Sequence, residues 1–170
     1  MNASFLLRLK AFLIDYLFIL AYIVLLICVN VFLFPSLQQF FIGSAVTAQL
    51  SGFLVLTLPV VLYFIISDSM FGGQSFGKKK TGIKVVTQNG EPLSIIHAVF
   101  RTMLKFFPWE LSHYLVYRLV YLEGDVPFQY TLIGGIIYAL MLIYILTAIF
   151  TKKRQSLYDI IAKTEVKKKA

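Results

Sequence analysis

The sequence is poor in the residues that build soluble catalytic and metal sites. It has one cysteine, two histidines and eight acidic residues among 170. Because Cys28 falls inside an apolar run, no disulfide framework is expected, and the cysteine content does not indicate a redox compartment. The sequence has no supported Ser/His/Asp arrangement and no cysteine–histidine pair. It therefore does not predict an enzyme.

Charge is also scarce. Only 14% of the residues are charged and 59% are hydrophobic, with a mean hydropathy of +0.81, whereas a soluble domain is about half apolar and about a quarter charged. This composition predicts an integral membrane protein. A net charge of +8 would suggest nucleic acid as the partner of a soluble protein. Beside membrane spans the same lysines indicate a bilayer with anionic headgroups, and no nucleic-acid partner is predicted.

Long uncharged runs locate the membrane spans, since about 20 apolar residues cross the hydrocarbon core. Three spans are clear in the sequence, and a fourth segment is half polar and interrupted by Pro108, which should break its helix. The four predicted spans are residues 11–34, 47–66, 103–122 and 130–150.

The distribution of lysine and arginine decides whether the half-polar segment crosses. With three spans, the basic N-terminus and central loop would lie on one side and the basic tail on the other. With four, every basic cluster lies on the same side and the outer loops contain no Lys or Arg. Basic loops mark the cytoplasmic side. The sequence therefore predicts a multi-pass protein of the cell membrane with both termini in the cytoplasm.

Two polar segments complete the predicted fold. In the glycine-rich, basic loop 67–94, Ile83–Thr87 is typical of a strand and Asn89-Gly90 of a hairpin turn. In the tail, residues 155–163 have the spacing of an amphipathic helix. The predicted fold class is an all-α integral membrane protein, residues 1–170 forming a single domain. It is a four-helix transmembrane bundle with a short cytoplasmic β-hairpin and a C-terminal amphipathic helix.

The segment Gly72–Lys79 nearly matches a phosphate-binding loop. Such a loop needs Ser or Thr after its lysine, a strand before it and a helix after it. Here Lys79 follows Lys78, a membrane span precedes and a strand is predicted to follow. We therefore interpret the segment as a glycine-rich exit turn beside anionic lipid headgroups. The predicted headgroup contacts are Lys78, Lys79, Lys80, Lys152, Lys153 and Arg154.

Glu110-x-x-His113 has the spacing used by di-iron helix bundles. Those sites need the motif twice together with two further glutamates, and this sequence has one copy. No metal or other cofactor is therefore predicted. Two interpretations of Glu110 and His113 stay open: a hydrogen bond inside the bundle, or a proton relay, since histidine titrates near neutral pH.

Asp15 is a carboxylate inside the first predicted span, seven residues after Arg8. That spacing places both side chains on one face of a helix. A charge inside a span is costly, so it needs a partner or a function. Asp15 either anchors the structure or handles ions.

Three blocks of sequence resemble the RDD family of small membrane proteins. They are Arg8-x-x-Ala11-x-x-x-Asp15, GGQSFGKKKTGIKVV with the later Arg101, and RQSLYDIIAKTEV, which contains Asp159. The family is named for one arginine and two aspartates, which here would be Arg8, Asp15 and Asp159. The resemblance covers nearly the whole chain.

The resemblance implies transport, because exchange of cations for protons has been proposed for some members of a largely uncharacterised family. The expected functional charge cluster is Arg8, Asp15, Arg101 and Asp159, acting on a monovalent cation and a proton. A chain this short would need a homo-oligomer to form a pore. The alternative is a non-catalytic membrane scaffold or lipid-binding accessory, in which the cluster pins the tail to the first span. The sequence does not define the ion, the partner, the oligomeric state or the role of Pro108-Trp109-Glu110.

Overall fold

The computed structural model describes residues 1–169; residue 170, the last of the predicted domain, lies outside the described residues. Long helices make up most of the structure. Short elements from the N-terminus, the central loop and the tail form a polar layer at one end of these helices. The candidate site lies where that layer meets the helix ends.

Four long helical segments form the body of the structure. A 3₁₀ turn at Pro35–Gln38 and the short helix α2, Gln39–Ile42, connect the first segment to the second. The long segments are α1 (Phe5–Cys28) with a π-helical end at Val29–Leu33, α3 (Ala45–Gly52) joined to α4 (Leu58–Asp68) by π-helical Phe53–Thr57, α6 (Ile95–Val120) and α7 (Phe128–Phe150).

Within residues 1–169, three helices are long and apolar enough to cross a membrane: Phe5–Leu33, Ala45–Asp68 and Phe128–Phe150. The first begins at Phe5 rather than at residue 11, because Ser4 caps it by accepting a hydrogen bond from the Leu7 N–H at 3.4 Å. Arg8, which precedes the predicted span, consequently lies in the same helix as Asp15, as their spacing predicted.

α6 is one continuous helix, so the predicted break at Pro108 is wrong. Proline removes one backbone hydrogen bond, but a helix supported by its neighbours tolerates that loss. α6 packs against both α4 and α7, and Pro108 is buried. Ser94 caps the start of the helix by accepting a hydrogen bond from the His97 N–H at 3.3 Å.

The predicted β-hairpin is also wrong. β1, Ile83–Thr87, pairs antiparallel with β2, Thr164–Lys168, so that Val85 lies opposite Val166. Both valines are buried. β1 therefore gains its partner from the far end of the chain, where Val166 completes the apolar face that a local hairpin would leave uncovered.

The turn at Asn89-Gly90 does form. Gly90 has a φ of +88°, and its N–H donates to the Thr87 carbonyl at 2.9 Å. The chain beyond it does not return along β1. Leu93 instead makes an isolated bridge with Ser69, at the end of α4, and the chain then enters α6.

The tail differs from the predicted amphipathic helix over residues 155–163. The helix there, α8, is only Leu157–Ile161, and β2 follows it closely. Asp159 is fully buried, whereas Ile160 and Ile161 are 41% and 48% exposed. The polar side of this short helix therefore faces the protein.

The two ends of the chain lie side by side. The Ala3 N–H donates to the Val166 carbonyl at 2.8 Å, and the Lys168 N–H donates to the Met1 carbonyl at 3.0 Å. Asn2 forms a bridge with Lys167. The N-terminal residues thus run along β2 on the side opposite β1, and the start of α1 lies next to the tail.

Candidate functional site

Asp159, in α8, accepts hydrogen bonds from two arginines. Its Oδ1 accepts from Arg101 Nε at 3.0 Å and Nη2 at 2.8 Å. Its Oδ2 accepts from Arg8 Nη1 at 2.7 Å. Thr164 Oγ1, at the start of β2, donates to Oδ1 at 3.2 Å. The carboxylate is fully buried, so these donors replace the water it would otherwise bind.

Arg101 continues the network to a second carboxylate. Its Nη1 donates to Asp68 Oδ2 at 2.9 Å, and Lys78 forms an ion pair with the other oxygen of Asp68. The resulting row alternates in charge: Arg8, Asp159, Arg101, Asp68, Lys78. We call these five residues the charge row.

Each member of the charge row comes from a different element. Arg8 lies near the start of α1, Asp68 ends α4, Lys78 lies in α5 (Phe76–Thr81), Arg101 lies early in α6 and Asp159 lies in α8. A buried charge is tolerated only with partners in good geometry, and removing one partner is strongly destabilising. The row therefore joins the polar layer to the ends of three long helices.

The surroundings of Asp159 hold it in the ionised form. Burial alone would raise its pKa, but the guanidinium groups of Arg101 and Arg8 outweigh burial and lower the pKa below the usual value. The neighbouring Tyr158 is affected differently, since burial raises its pKa to about 12. The Arg101 guanidinium lies 5.2 Å from the centre of the Tyr158 ring, a cation–π contact.

Asp15 is not part of the charge row. Its Oδ2 accepts from Ser75 Oγ at 2.6 Å, and its Oδ1 accepts from the Gly77 N–H at 2.7 Å and from Tyr63 Oη at 3.1 Å. The structure thus brings Arg8, Arg101 and Asp159 together and places Asp15 on a separate set of neutral donors.

Tyr63 lies in α4, whereas the other two donors, Ser75 and Gly77, belong to the N-terminus of α5. Ser75 caps that helix, and Tyr63 Oη also accepts from the Phe76 N–H at 2.9 Å. The glycine-rich segment is thus followed first by the helix α5 and then by β1, whereas the sequence predicted only the strand. Free N–H groups at a helix N-terminus favour an anion, and here Asp15 of the same chain provides it in place of a nucleotide phosphate.

The predicted headgroup lysines fall into two groups. Lys78 is buried in the charge row, whereas Lys79 and Lys80 are exposed. In the tail, Lys152, Lys153 and Arg154 are exposed.

Two of these tail residues have partners within the chain. Lys153 Nζ donates to Glu165 Oε1 at 2.8 Å, and this hydrogen bond lowers the pKa of Glu165. Arg154 Nη1 donates to the Ile149 carbonyl at 2.7 Å.

Glu110 and His113 lie further along α6. His113 Nδ1 is 3.6 Å from Glu110 Oε2 and 3.4 Å from Thr57 Oγ1. Glu110 is nine residues from Arg101, about 13 Å at 1.5 Å per residue. Among residues 1–169 no group of three or more His, Cys, Asp or Glu side chains is arranged to hold a metal ion.

Two charged residues of this region, Asp68 and Lys105, were not predicted from the sequence as members of the site. Asp68 ends a long apolar helix, where the helix dipole disfavours an anion, so its position already required a cationic partner. Lys105 lies one turn beyond Arg101, with its ammonium 3.6 Å from the centre of the Phe64 ring. Both were charges at the edge of an apolar run, which is the signal that could have identified them.

Comparison with known proteins identifies the family. No curated protein and no solved structure matches the chain at a significant level. The sequence profile of the RDD family matches residues 2–163, a range that contains α1, the charge row and Asp15. The chain therefore belongs to the RDD family.

Proposed function

We propose that this protein is a non-catalytic membrane scaffold and lipid-binding accessory, in which the charge row is an anchor. The observation that supports an anchor is that Asp159 and Asp68 find their partners within the chain, in Arg8, Arg101 and Lys78. A carboxylate shared by two guanidinium groups stays ionised, so it is poorly suited to taking up and releasing a proton in each transport cycle.

The proposed architecture has four crossings. Three apolar helices alone would leave the ends of the chain on opposite faces of the membrane, yet Ala3 is hydrogen-bonded to Val166. An even number of crossings is required, and α6 is long enough to supply the fourth, at about 39 Å for 26 residues. Its polar side chains Glu110 and His113 are about a third or less exposed, as expected for a polar face directed into the bundle.

The exposed lysines support the lipid-binding part of the proposal. Lys79, Lys80 and Lys152 are exposed in the same polar layer as the two chain ends. A basic layer beside membrane spans is typical of the cytoplasmic face and attracts anionic headgroups, at about 1 kcal/mol per basic residue. We therefore place the polar layer and both termini in the cytoplasm.

Arg8→Ala and Asp159→Asn test the anchor. Each removes a partner from a buried charge, so we expect both variants to accumulate less and to unfold at a lower temperature in detergent. The wild-type protein reconstituted into liposomes should show no cation or proton flux above that of protein-free liposomes. Lys79→Ala, which removes an exposed charge of α5, is the matched control and should accumulate normally.

Cation/proton transport is the second candidate, and one observation favours it. Asp15 is a buried carboxylate with neutral donors, and no Lys, Arg or His nitrogen of residues 1–169 forms an ion pair with it within 4.0 Å. An intramembrane carboxylate without a counter-ion is suited to binding a cation or a proton.

Flux across a panel of monovalent cations, with and without a pH gradient, separates the two candidates. Transport through Asp15 requires flux in the wild type and its loss in Asp15→Asn at equal protein level. The molecular mass of the active particle would show whether a homo-oligomer forms the pathway. Wild-type flux equal to that of empty liposomes would eliminate transport, whereas loss of flux in Asp15→Asn would eliminate a purely structural role.

A further inference from the structure

A cavity of about 230 Å³ adjoins the charge row, between α1 and α7. Its polar wall contains Arg8, Lys78, Arg101 and Lys105, together with Asp15. The remaining wall is largely apolar and includes Phe5, Leu9, Phe12, Ile145 and Ala148. The cavity thus combines a cationic end with apolar sides.

The cationic end is not fully neutralised. Four basic side chains line the cavity, whereas the carboxylates of the region are three, Asp15, Asp68 and Asp159, so one basic group is left without a carboxylate partner. Within residues 1–169, Lys105 forms no ion pair with a carboxylate. Its ammonium lies 3.6 Å from the centre of the Phe64 ring and 5.2 Å from the centre of the Phe106 ring.

Arg8 is incompletely bonded as well. Nη1 is paired with Asp159, but Nε and Nη2 are buried with no hydrogen-bond partner in the described chain. A buried donor without an acceptor costs about 1–3 kcal/mol, and more when it is charged. An anion in the cavity would supply both the missing acceptors and the missing charge.

A second, apolar cavity of about 400 Å³ adjoins the first. The two share Phe12, Phe64, Lys105, Tyr144 and Ile145. Along α1 the second cavity extends from Phe12 to Ile23, about 16 Å at 1.5 Å per residue. That length matches one leaflet, half of a hydrocarbon core about 30 Å thick.

We propose that the two cavities together bind one phospholipid with an anionic headgroup. Its phosphate lies at the cationic end beside Arg8 and Lys105, and an acyl chain occupies the apolar cavity. Guanidinium and ammonium groups are the common protein ligands of phosphate. A free phosphate ion would satisfy the cations but would leave the apolar cavity empty. This proposal rests on the lipid-binding part of the proposed function and assigns it an internal site, distinct from the exposed lysines.

The test uses the full chain in neutral detergent and measures its unfolding temperature with three additives: phosphatidylglycerol, phosphatidylcholine with the same acyl chains, and inorganic phosphate. We expect a saturable increase of several degrees with phosphatidylglycerol alone. Native mass spectrometry should show one retained phosphatidylglycerol per chain. Equal stabilisation by phosphatidylcholine would overturn a site for anionic headgroups, and equal stabilisation by inorganic phosphate would show a free-anion site instead of a lipid site.

Two variants locate the site. Lys105→Met keeps the apolar stem and removes the charge, so the protein should fold without lipid and bind phosphatidylglycerol at least tenfold more weakly. Arg8→Lys retains a cation for Asp159 but removes the two unpartnered guanidinium nitrogens, and should weaken binding similarly. The matched control is Lys79→Met, which removes an exposed lysine and should bind as the wild type does.

Wild-type affinity in both Lys105→Met and Arg8→Lys would overturn the internal site. Loss of affinity in Lys79→Met alone would assign lipid binding to the exposed lysines, which would leave the proposed function intact. Flux through the wild-type protein would contradict the scaffold proposal without affecting the lipid measurement, so the two failures are distinguishable.

Discussion

The carboxylate of Asp15 accepts a hydrogen bond of 2.7 Å from the backbone N–H of Gly77, which lies 62 residues later in the sequence. The two groups can meet because Gly77 has no side chain. A Cβ at this position would overlap the carbonyl oxygen of Ala11, in the neighbouring turn of α1. The requirement for glycine therefore arises from the close approach of α5 to α1.

Gly77→Ala should destabilise the protein. The added methyl group would meet backbone atoms of Ala11 that cannot rotate away, so α5 must move and its hydrogen bond to Asp15 must lengthen. Overpacking of this kind costs about 1–3 kcal/mol, and the unfolding temperature in detergent should fall accordingly. Gly135→Ala in α7 is the control, because a Cβ there meets no atom within 4 Å. Equal unfolding temperatures for the two variants would contradict the close packing of α5 on α1.

Stability should fall as the pH is lowered. The pKa of Asp159 is depressed in the folded protein because, although burial opposes it, the charges of Arg101 and Arg8 dominate. A carboxylate with a depressed pKa stabilises the fold above its unfolded pKa of about 3.9 and loses that contribution as the pH falls through the lower, folded value. The contribution of Asp159 to the unfolding temperature should therefore be constant near neutral pH and be lost below about pH 4.

Asp159→Asn isolates this contribution. The variant should be less stable than the wild type at pH 7, by about 3–5 kcal/mol for a broken buried ion pair, and the difference should narrow as the pH falls. Glu165, whose pKa is also lowered, affects both proteins alike and cancels in the comparison. Asp125→Asn, in an exposed turn, should follow the wild type. A difference that stays constant with pH would show that Asp159 is not ionised in the folded state.

A structural feature was predictable where all the information for it lies within one segment of the sequence. The apolar runs of α1 and α7 predicted those helices because a span needs no information from other parts of the chain. The spacing of Arg8 and Asp15 predicted a common helix face, which α1 has. Their different partners, Asp159 and the N-terminus of α5, were not predictable because both come from distant segments.

The errors have a similar cause. Asn89-Gly90 does form a turn, but a turn does not determine which segment pairs with β1. In the structure that segment is β2 in the tail, where Val166 lies opposite Val85. Pro108 is a helix breaker in water, yet α6 continues through it between α4 and α7. Lys78 is one of three consecutive lysines, and only its position in α5 directs it to Asp68 rather than to the surface.

Disulfide formation tests the observed strand pairing. Lys84 and Lys167 lie directly opposite each other in the β1–β2 ladder, and opposite residues of an antiparallel pair have Cβ atoms about 4.5–5.5 Å apart, near the range for a disulfide. In a Cys28→Ala background, Lys84→Cys with Lys167→Cys should cross-link under mild oxidation, as detected by gel mobility.

The control pair for this cross-link is set by the alternative hairpin. A two-residue turn at Asn89-Gly90 would place Lys84 opposite Ile95. Lys84→Cys with Ile95→Cys should therefore remain reduced under the same conditions. Cross-linking of this pair, without cross-linking of positions 84 and 167, would restore the local hairpin and remove β2 from the sheet.

The contact between the two chain ends predicts the number of membrane crossings. Because Met1–Ala3 run along β2, positions 2 and 168 must face the same compartment, whereas Gln38 and Asp125, in the connections at the other end of the helices, must face the opposite one. Single cysteines in a Cys28→Ala background, introduced as Asn2→Cys, Lys168→Cys, Gln38→Cys and Asp125→Cys, report these positions to a thiol reagent that does not cross membranes. In intact cells we expect the reagent to label positions 38 and 125, and to label 2 and 168 only after the membrane is opened.

Labelling of 2 and 168 from opposite sides would mean that α6 does not cross. Arg8 and Asp159 could not then share one face of the membrane, and the charge row, the anchor and the internal lipid site would fail together.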